Sequence, residues 1–577
     1  MVFYPPAWTP KLPYDPPDTV TIPEFLRRSP HEQPGRRNPF TCGLTGRTYT
    51  AAEQFRRTDQ LSRALARELA WRPNAGQPWD KVVAVFAVNT IDYIAVTHAV
   101  HRLSGIASPA NVAYAASELA HQLRAARARA LFTCPAVLHT AREAARAAGI
   151  PDDRIFLLDA PGGPPAATLP GFRSVDDLIV RGAELAELEP LRWCKGQGAR
   201  QVAYLCFSSG TSGLPKAVMI SHRNVIANMM QHSLCDMAGR KTSGVATQTL
   251  SGLLPFSHIY GLVVVAHSGT WRGDEVIVLP QFDLPQFLGA IERFRINQLL
   301  IVPPIVVRML SSRHELDKYD LGSVRSVFTG AAPLGKETIE GIRKLFPQWR
   351  VGQGYGLTET ATVVTTTPED DIVDGTSGCL VSEVRAKIID SDGSEVTAYK
   401  TRGELLVQSP SVTLGYLNDE QATAEAFVWD DDGRWMRTGD EVMVVRSPAG
   451  HEHFVVVDRL KELIKVKGHQ VAPAELEAHL LAHEWVDDVA VVAVPDERAG
   501  EVPKAFVVRA AAAAGRPDGE VREALAAHVE AHKARHKSLR GGVDFVAAVP
   551  KSPSGKILRR VLRDRERELR RKKGAKL

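Results

Sequence analysis

Ser208-Ser-Gly-Thr-Ser-Gly-Leu-Pro-Lys216 brings four hydroxyls, two glycines and a closing Pro-Lys into nine residues. Such a loop can wrap a polyphosphate. Glycines let backbone N–H groups close on the oxygens, hydroxyls donate further hydrogen bonds, and the lysine adds a point charge. It is not a Walker A loop, because no Gly-Lys-Ser/Thr follows the first glycine at the required spacing. Apolar runs at 202–207 and 217–220 flank it, so it reads as a phosphate loop between two strands.

Outward from the loop, buried strand-like runs at 82–88, 130–134, 154–158, 275–279, 299–302 and 324–328 mostly alternate with helical patterns, among them 51–70 and 91–103. That alternation predicts layered α/β structure with largely parallel sheets. After about residue 375 the texture changes to short strands split by Asp-Gly and Ser-Pro turns, a smaller β-rich subdomain over about 375–458. From 459 to 577 a helix near 475, strands at 489–494 and 504–508, a helix at 521–533 and a strand at 543–546 form a compact α+β module. The expected organisation is a large N-terminal domain, 1–458, with a proline-rich extended arm at 1–25, joined by a hinge to a small mobile C-terminal domain.

The chain has 577 residues, 44% hydrophobic and 24% charged, enough for several ordinary cores, and its net charge of +5 does not call for nucleic acid. Residues 556–577 hold eleven Lys and Arg against three Asp and Glu, a net +8 that leaves the remainder near −3. This reads as a solvated terminal helix, since a nucleic-acid or membrane arm would need interleaved aromatics or an apolar face. The six cysteines are scattered without CxxC or zinc spacing, which fits a reduced intracellular setting. Met1-Val-Phe-Tyr-Pro-Pro6 lacks a basic and an apolar region, and no apolar run reaches the roughly 18 residues of a membrane span. A cytoplasmic monomer or homodimer is expected, with no nucleic-acid or membrane partner. Ala575-Lys576-Leu577, close to Ser-Lys-Leu, leaves the peroxisome as the alternative.

With Tyr355-Gly-Leu-Thr-Glu359, Thr438-Gly-Asp440, Asp458-Arg459 and Pro550-Lys-Ser-Pro-Ser-Gly-Lys556, the opening loop resembles the adenylate-forming superfamily of acyl-CoA synthetases and luciferases. The five motifs occur in the family's order over nearly the whole chain. Pro255-Phe-Ser-His-Ile-Tyr260, Gly330-Ala-Ala-Pro-Leu-Gly335 and Lys467-Gly-His-Gln-Val-Ala-Pro-Ala-Glu475 are similar to the 4-coumarate–CoA ligase group.

The resemblance implies roles for particular residues. Ser208, Ser209, Gly210, Thr211, Ser212, Gly213 and Lys216 would hold the β- and γ-phosphates of ATP. Lys556 would supply the charge for adenylation, Thr358 would bond the α-phosphate, and Glu359 would help hold Mg²⁺, a hard cation that prefers oxygen. Tyr355 would stack on adenine between Gly354 and Gly356, with Gly330, Ala331, Ala332, Pro333 and Gln353 around the nucleotide. Asp440 and Arg459 would meet the ribose, and Lys465 and Gln470 would approach the adenylate in one domain orientation. Lys461 would be the hinge, and Lys467 and Gly468 would lie on the CoA path. His258 and Tyr260 would border the acid pocket, completed by Ile259, Val264, Gly330, Gly354, Thr362 and Val363. That lining is mostly apolar and suits a flat aromatic acid.

Three positions depart from the family: Val264 stands for a second pocket hydroxyl, Gln281 for a CoA-contacting lysine, and Ser212 for a threonine. The implied reaction joins an aryl or arylpropenoic acid to AMP with release of pyrophosphate, then passes the acyl group to CoA. The alternative keeps the adenylation and changes the acceptor to a carrier thiol, an amine, or nitrite activated for diazotisation of an aryl amine. A degenerate nucleotide-binding protein would lack the catalytic residues, and Lys556, Thr358 and Glu359 are present.

Overall fold

The structure, a computed structural model, describes residues 1–28, 37–166, 169–208, 215–467, 469–552 and 555–574. Two apolar cores divide the chain. One draws on residues from Phe3 to Phe454, with two satellite clusters beside it, and the other on residues from Ile464 to Leu562.

The large unit holds three sheets. In a seven-stranded sheet Val202–Ser208 pairs parallel with Ile106–Pro109, and the order continues through Val82–Phe86, Ala130–Thr133, Ile155–Leu157 and Arg173–Ser174, all parallel. Lys216–Ser221 closes its other edge antiparallel, setting Lys216 opposite Ser208. In a nine-stranded sheet Phe40–Cys42, Glu275–Val278, Thr249–Gly252, Gln298–Ile301, Ser326–Thr329 and Arg350–Leu357 run parallel. Thr362–Thr366 returns antiparallel on the last of these. The third sheet is antiparallel and includes Arg385–Ile389, Gly403–Gln408, Gly433–Arg446 and Glu452–Arg459. Each sequence-derived strand recurs within a few residues. The proline-rich arm is a docked element: Val2–Phe3 adds a strand to the third sheet, and Phe3 and Ile22 are buried.

Two elements escape sequence periodicity. The helix His222–Thr242 starts at a Ser221–Asn224 capping box and is buried on most sides, so no polar stripe marks it. It is tied to the strand Thr362–Thr366 by Asn228, whose amide donates to Val363 O at 2.8 Å and whose carbonyl accepts from Val363 N at 3.0 Å. The π-helix Tyr260–His267 is wholly buried and hydrophobic all round.

The C-terminal unit packs Pro473–Leu481 and Asp518–His532 on a sheet centred on Val486–Asp496 and Gly500–Arg509. Its basic end is a helix, Arg559–Gly574, several of whose cations pair within the unit: Arg559 with Glu477 at 2.7 Å, Arg563 with Glu462 at 2.6 Å and Arg570 with Glu566 at 2.8 Å. Among the described residues the cysteines are free, five of them buried, and no helix is long and apolar enough to cross a membrane.

Candidate active site

A cleft of about 400 Å³ lies between the two units. The large unit lines it with the turn 331–335, the strand residues Gln353–Leu357, and Asp440 and Arg459 from paired strands. The small unit lines it with Glu477, Ala478 and the loop carrying Gly555 and Lys556.

Each position has a local cause. Asp440 and Arg459 are register partners in an antiparallel ladder, which puts both on one face, Arg459 Nε 3.6 Å from Asp440 Oδ1. Tyr355 O–H donates to Asp440 Oδ2 at 2.6 Å. Burial raises the Asp440 carboxyl above the usual range, while Arg459 and the Tyr355 hydrogen bond pull it down. Ala331 takes φ +68° in the turn before the helix Lys336–Leu345, and Leu334 N donates to Gln353 Oε1 at 2.8 Å, so Gln353 braces that turn as well as lining the cleft.

Lys556 enters through a tight loop: Ser552 N donates to Lys556 O and Gly555 N to Ser552 O, each at 2.8 Å. Gly555 has φ +80°, and a Cβ there would stand 2.9 Å from Val302 Cγ2 of the large unit. Only glycine permits that approach. Burial, with Arg459 next in effect, lowers the Lys556 ammonium to about 8.

His258 lies close enough to Lys556 to feel its charge. Tyr260 N donates to His258 Nδ1 at 3.3 Å, so the proton of the neutral ring sits on Nε2. Burial, helped by the charge of Lys556, lowers its pKa to about 4. Tyr260 O–H donates to Phe328 O at 3.2 Å, and its ring lies against Gly330. Thr362 Oγ1 donates to Ile259 O at 3.2 Å, which joins two expected pocket residues and occupies the Thr362 hydroxyl. Val363 is buried beside Thr362. Ile259 and Tyr260, like Val363, are buried. Val264 borders a small cavity shared with His232, Asp236, Arg272 and Gln298. The sequence hid this because those polar residues come from distant segments.

Glu359 and Thr358 form one 3₁₀ turn, Thr358–Thr360. Tyr416 O–H donates to Glu359 Oε1 at 2.9 Å, the Lys216 ammonium lies 5.2 Å from the Tyr416 ring centroid, and Lys216 pairs with Asp419 at 3.3 Å. Tyr416 and Asp419 belong to none of the motifs read from the sequence, and they reach Glu359 and Lys216 only through tertiary contacts. Glu359 Oε2 has no hydrogen-bond partner among the described residues, and the Tyr416 bond holds the carboxylate in place. This oxygen-only donor set fits Mg²⁺ bound through one carboxylate and the phosphates of its nucleotide.

Ser208 and Lys216 face each other across the first strand pair, while Ser209, Gly210, Thr211, Ser212 and Gly213 lie outside the described residues, as does Gly468. Lys465, Lys467 and Gln470 are exposed on the hairpin Ile464–Val466 and His469–Val471, away from the cleft lining while Lys556 occupies it. Lys461 is exposed in the turn after the strand Glu452–Arg459, and Gln281 is exposed after Glu275–Val278.

Residues 26–417 match the model of the AMP-binding enzyme family, and residues 475–556 match that of the AMP-binding enzyme C-terminal domain. The chain belongs to the AMP-binding enzymes, the adenylate-forming superfamily. Among curated relatives of this family, the acyl-CoA ligase AFT1-1 of Alternaria alternata is 44% identical over 98% of this chain and 97% of its own length. The acyl-CoA ligase cm3C of Cordyceps militaris is 38% identical over 98% and 90%. The fold recurs in the solved anthranilate CoA ligase AuaEII, with TM-score 0.79 at 21% identity over 95% and 97% of the two chains. It recurs in the amide bond synthetase McbA of Marinactinospora thermotolerans, with TM-score 0.72 at 27% identity over 94% and 99%.

Proposed function

We propose that this AMP-binding enzyme is an acid–CoA ligase that activates an aryl or arylpropenoic acid with ATP and Mg²⁺. The observation that carries the reading is the insertion of Lys556 from the small unit into a cleft that already holds Tyr355, Asp440 and Arg459. The full-length relatives named acyl-CoA ligases supply the acceptor.

The acid's carboxylate attacks the α-phosphorus and pyrophosphate leaves. Two anions meet, so positioning and fixed positive charge do most of the work. The Nε2–H of neutral His258 donates to the carboxylate without adding a charge that would weaken the nucleophile. Lys556 and Thr358 bind the α-phosphate oxygens, and Tyr355 and Asp440 hold adenine and ribose. Ser208 and Lys216 anchor the two ends of the loop assigned to the leaving pyrophosphate. Mg²⁺ on Glu359 would neutralise phosphate charge.

Thioester formation needs the same acyl carbon open to a thiol. The small unit turns about Lys461, withdraws Lys556 and presents the Lys465–Lys467 hairpin. The CoA sulfur then forms a bond to the acyl carbon, its proton is lost, and AMP leaves.

The likeness to a solved amide bond synthetase favours a second reading, in which an amine takes the acyl group. A panel of acids assayed for pyrophosphate release, with CoA or an amine added, tests both. Acyl-CoA accumulating in step with pyrophosphate is expected. Pyrophosphate with amide and no thioester would overturn the CoA assignment.

A further inference from the structure

Three imidazoles meet on the small unit, outside the cleft lining. His479 lies on the helix Pro473–Leu481, and His528 and His532 lie on the helix Asp518–His532. Both helices bury apolar residues in the small unit's core, among them Leu480 and Leu525. His528 and His532 are four residues apart, so one helical turn presents both on the same face. The His528 ring stacks on that of His479, with centroids 4.2 Å apart and planes 8° apart. The His532 ring lies 5.3 Å from His479 and 5.1 Å from His528. One nitrogen from each of the three rings lies within 4.8 Å of the other two.

The hydrogen bonds of these rings leave nitrogens for a ligand. His532 Nδ1 donates to His528 O at 2.9 Å, so Nε2 of the neutral ring keeps its lone pair. Such a bond to a backbone carbonyl is how metal-ligating histidines are commonly oriented. His479 Nε2 faces His528 O at 3.3 Å, and His528 Nε2 faces His479 O at 3.4 Å. Both are longer than ordinary N–H···O bonds, so they hold the rings weakly and leave either nitrogen open to an ion. His483 stands close by, its ring 5.0 Å from His528, but its Nδ1 accepts from Trp485 N at 3.2 Å. Its proton therefore sits on Nε2, and it is not counted among the ligands.

The donor set decides the kind of ion. Among the described residues no carboxylate or thiolate joins the three rings, so the site offers nitrogen alone. Mg²⁺ and Ca²⁺ prefer oxygen, whereas imidazole suits Zn²⁺ and its transition-metal neighbours. Tetrahedral Zn²⁺ with bonds of about 2.0–2.1 Å sets its ligand nitrogens about 3.3 Å apart. The rings would therefore close by about 1.5 Å at most, which side-chain rotation supplies, since His532 is exposed and the other two are half-buried.

We propose that His479, His528 and His532 bind one divalent transition-metal ion of the Zn²⁺ kind, with water in the fourth position. The ion clamps two helices together. One of them carries Glu477, Ala478 and Leu481 on the cleft wall, so the clamp braces that wall from behind. The site is distinct from Glu359 and its Mg²⁺, and it does not depend on which acid or acceptor the enzyme uses.

The test is equilibrium dialysis of the full chain, first stripped with a chelator, against Zn²⁺ alone. All proteins carry Cys194→Ser, which removes an exposed thiol. One Zn²⁺ per chain should bind, and Mg²⁺ in roughly hundredfold excess should not displace it. His532→Ala and His528→Ala should each weaken binding by more than the ten- to hundredfold, roughly, that loss of a supporting partner costs. His532 is exposed, so its variant keeps the test open if His528→Ala does not fold. Co²⁺ in place of Zn²⁺ should give the visible absorption of a four-coordinate site, lost in His532→Ala. His536→Ala, from the other stacked histidine pair of the unit, should bind as before. A chain that retains no Zn²⁺ at one equivalent overturns the proposal. So does binding unmoved by both variants, or lost equally in His536→Ala, either of which would mean an adventitious ion only.

Discussion

Raising the pH through about 8 should switch off adenylation by removing the charge on Lys556. The structure buries this ammonium beside Arg459, and both effects favour the neutral amine. The protonated form is the active one, so the free enzyme loses activity as the pH rises through that value. With a pKa of about 8, the charged fraction falls from about nine-tenths at pH 7 to about a thirtieth at pH 9.5, a loss of about thirtyfold in kcat/KM. Bound ATP brings phosphate charge to Lys556, so the alkaline limb of kcat should lie above that of kcat/KM. The assay is pyrophosphate release from pH 6.5 to 10 at saturating acid and Mg²⁺, for the wild type and Lys556→Arg. The guanidinium stays charged throughout, so the variant should be slower and its alkaline limb should vanish. Lys556→Ala should lose about 10²- to 10³-fold at pH 7, the scale of one transition-state donor. A wild-type profile flat to pH 10, or an Arg variant falling in parallel with it, would refute the assignment of the limb to Lys556.

Three further outcomes follow from particular contacts. Gly555→Val should slow pyrophosphate release at least tenfold, because its side chain collides with Val302 and φ is +80°, yet thioester formation from preformed acyl-AMP should continue; equal loss in both half-reactions would contradict the role given to closure. Tyr416→Phe removes the donor that fixes Glu359 and should raise the Mg²⁺ concentration for half-maximal rate by about tenfold, the scale of one hydrogen bond to a charged group; an unchanged Mg²⁺ titration would separate Glu359 from the metal. Asp274→Asn leaves the buried Arg240 and Arg272 short of a counter-charge and should cost about 3–5 kcal/mol in urea unfolding; a loss under 1 kcal/mol would mean that Asp236 suffices.

The strand runs, the phosphate-loop composition and the order of the five motifs were legible because each depends on residues close in sequence. Hydrogen-bond ladders and turns are local, so alternation and glycine placement report them directly. The helix His222–Thr242 was not legible, because an element buried all round carries no periodic contrast. Tyr416 and Asp419 were not legible either, since they reach Glu359 and Lys216 through a pairing of Val218 with Tyr416 that spans about two hundred residues.

The amino-acid sequence by itself determined that this chain is an adenylate-forming enzyme, and it singled out Lys556, Tyr355 and Asp440 as candidates for the nucleotide site. Tertiary structure decided where those groups meet. Two separate cores let the small unit carry Lys556 into the cleft, and Gly555 is what fits against Val302. Side chains far apart in sequence meet only through packing, and packing has no period along the chain.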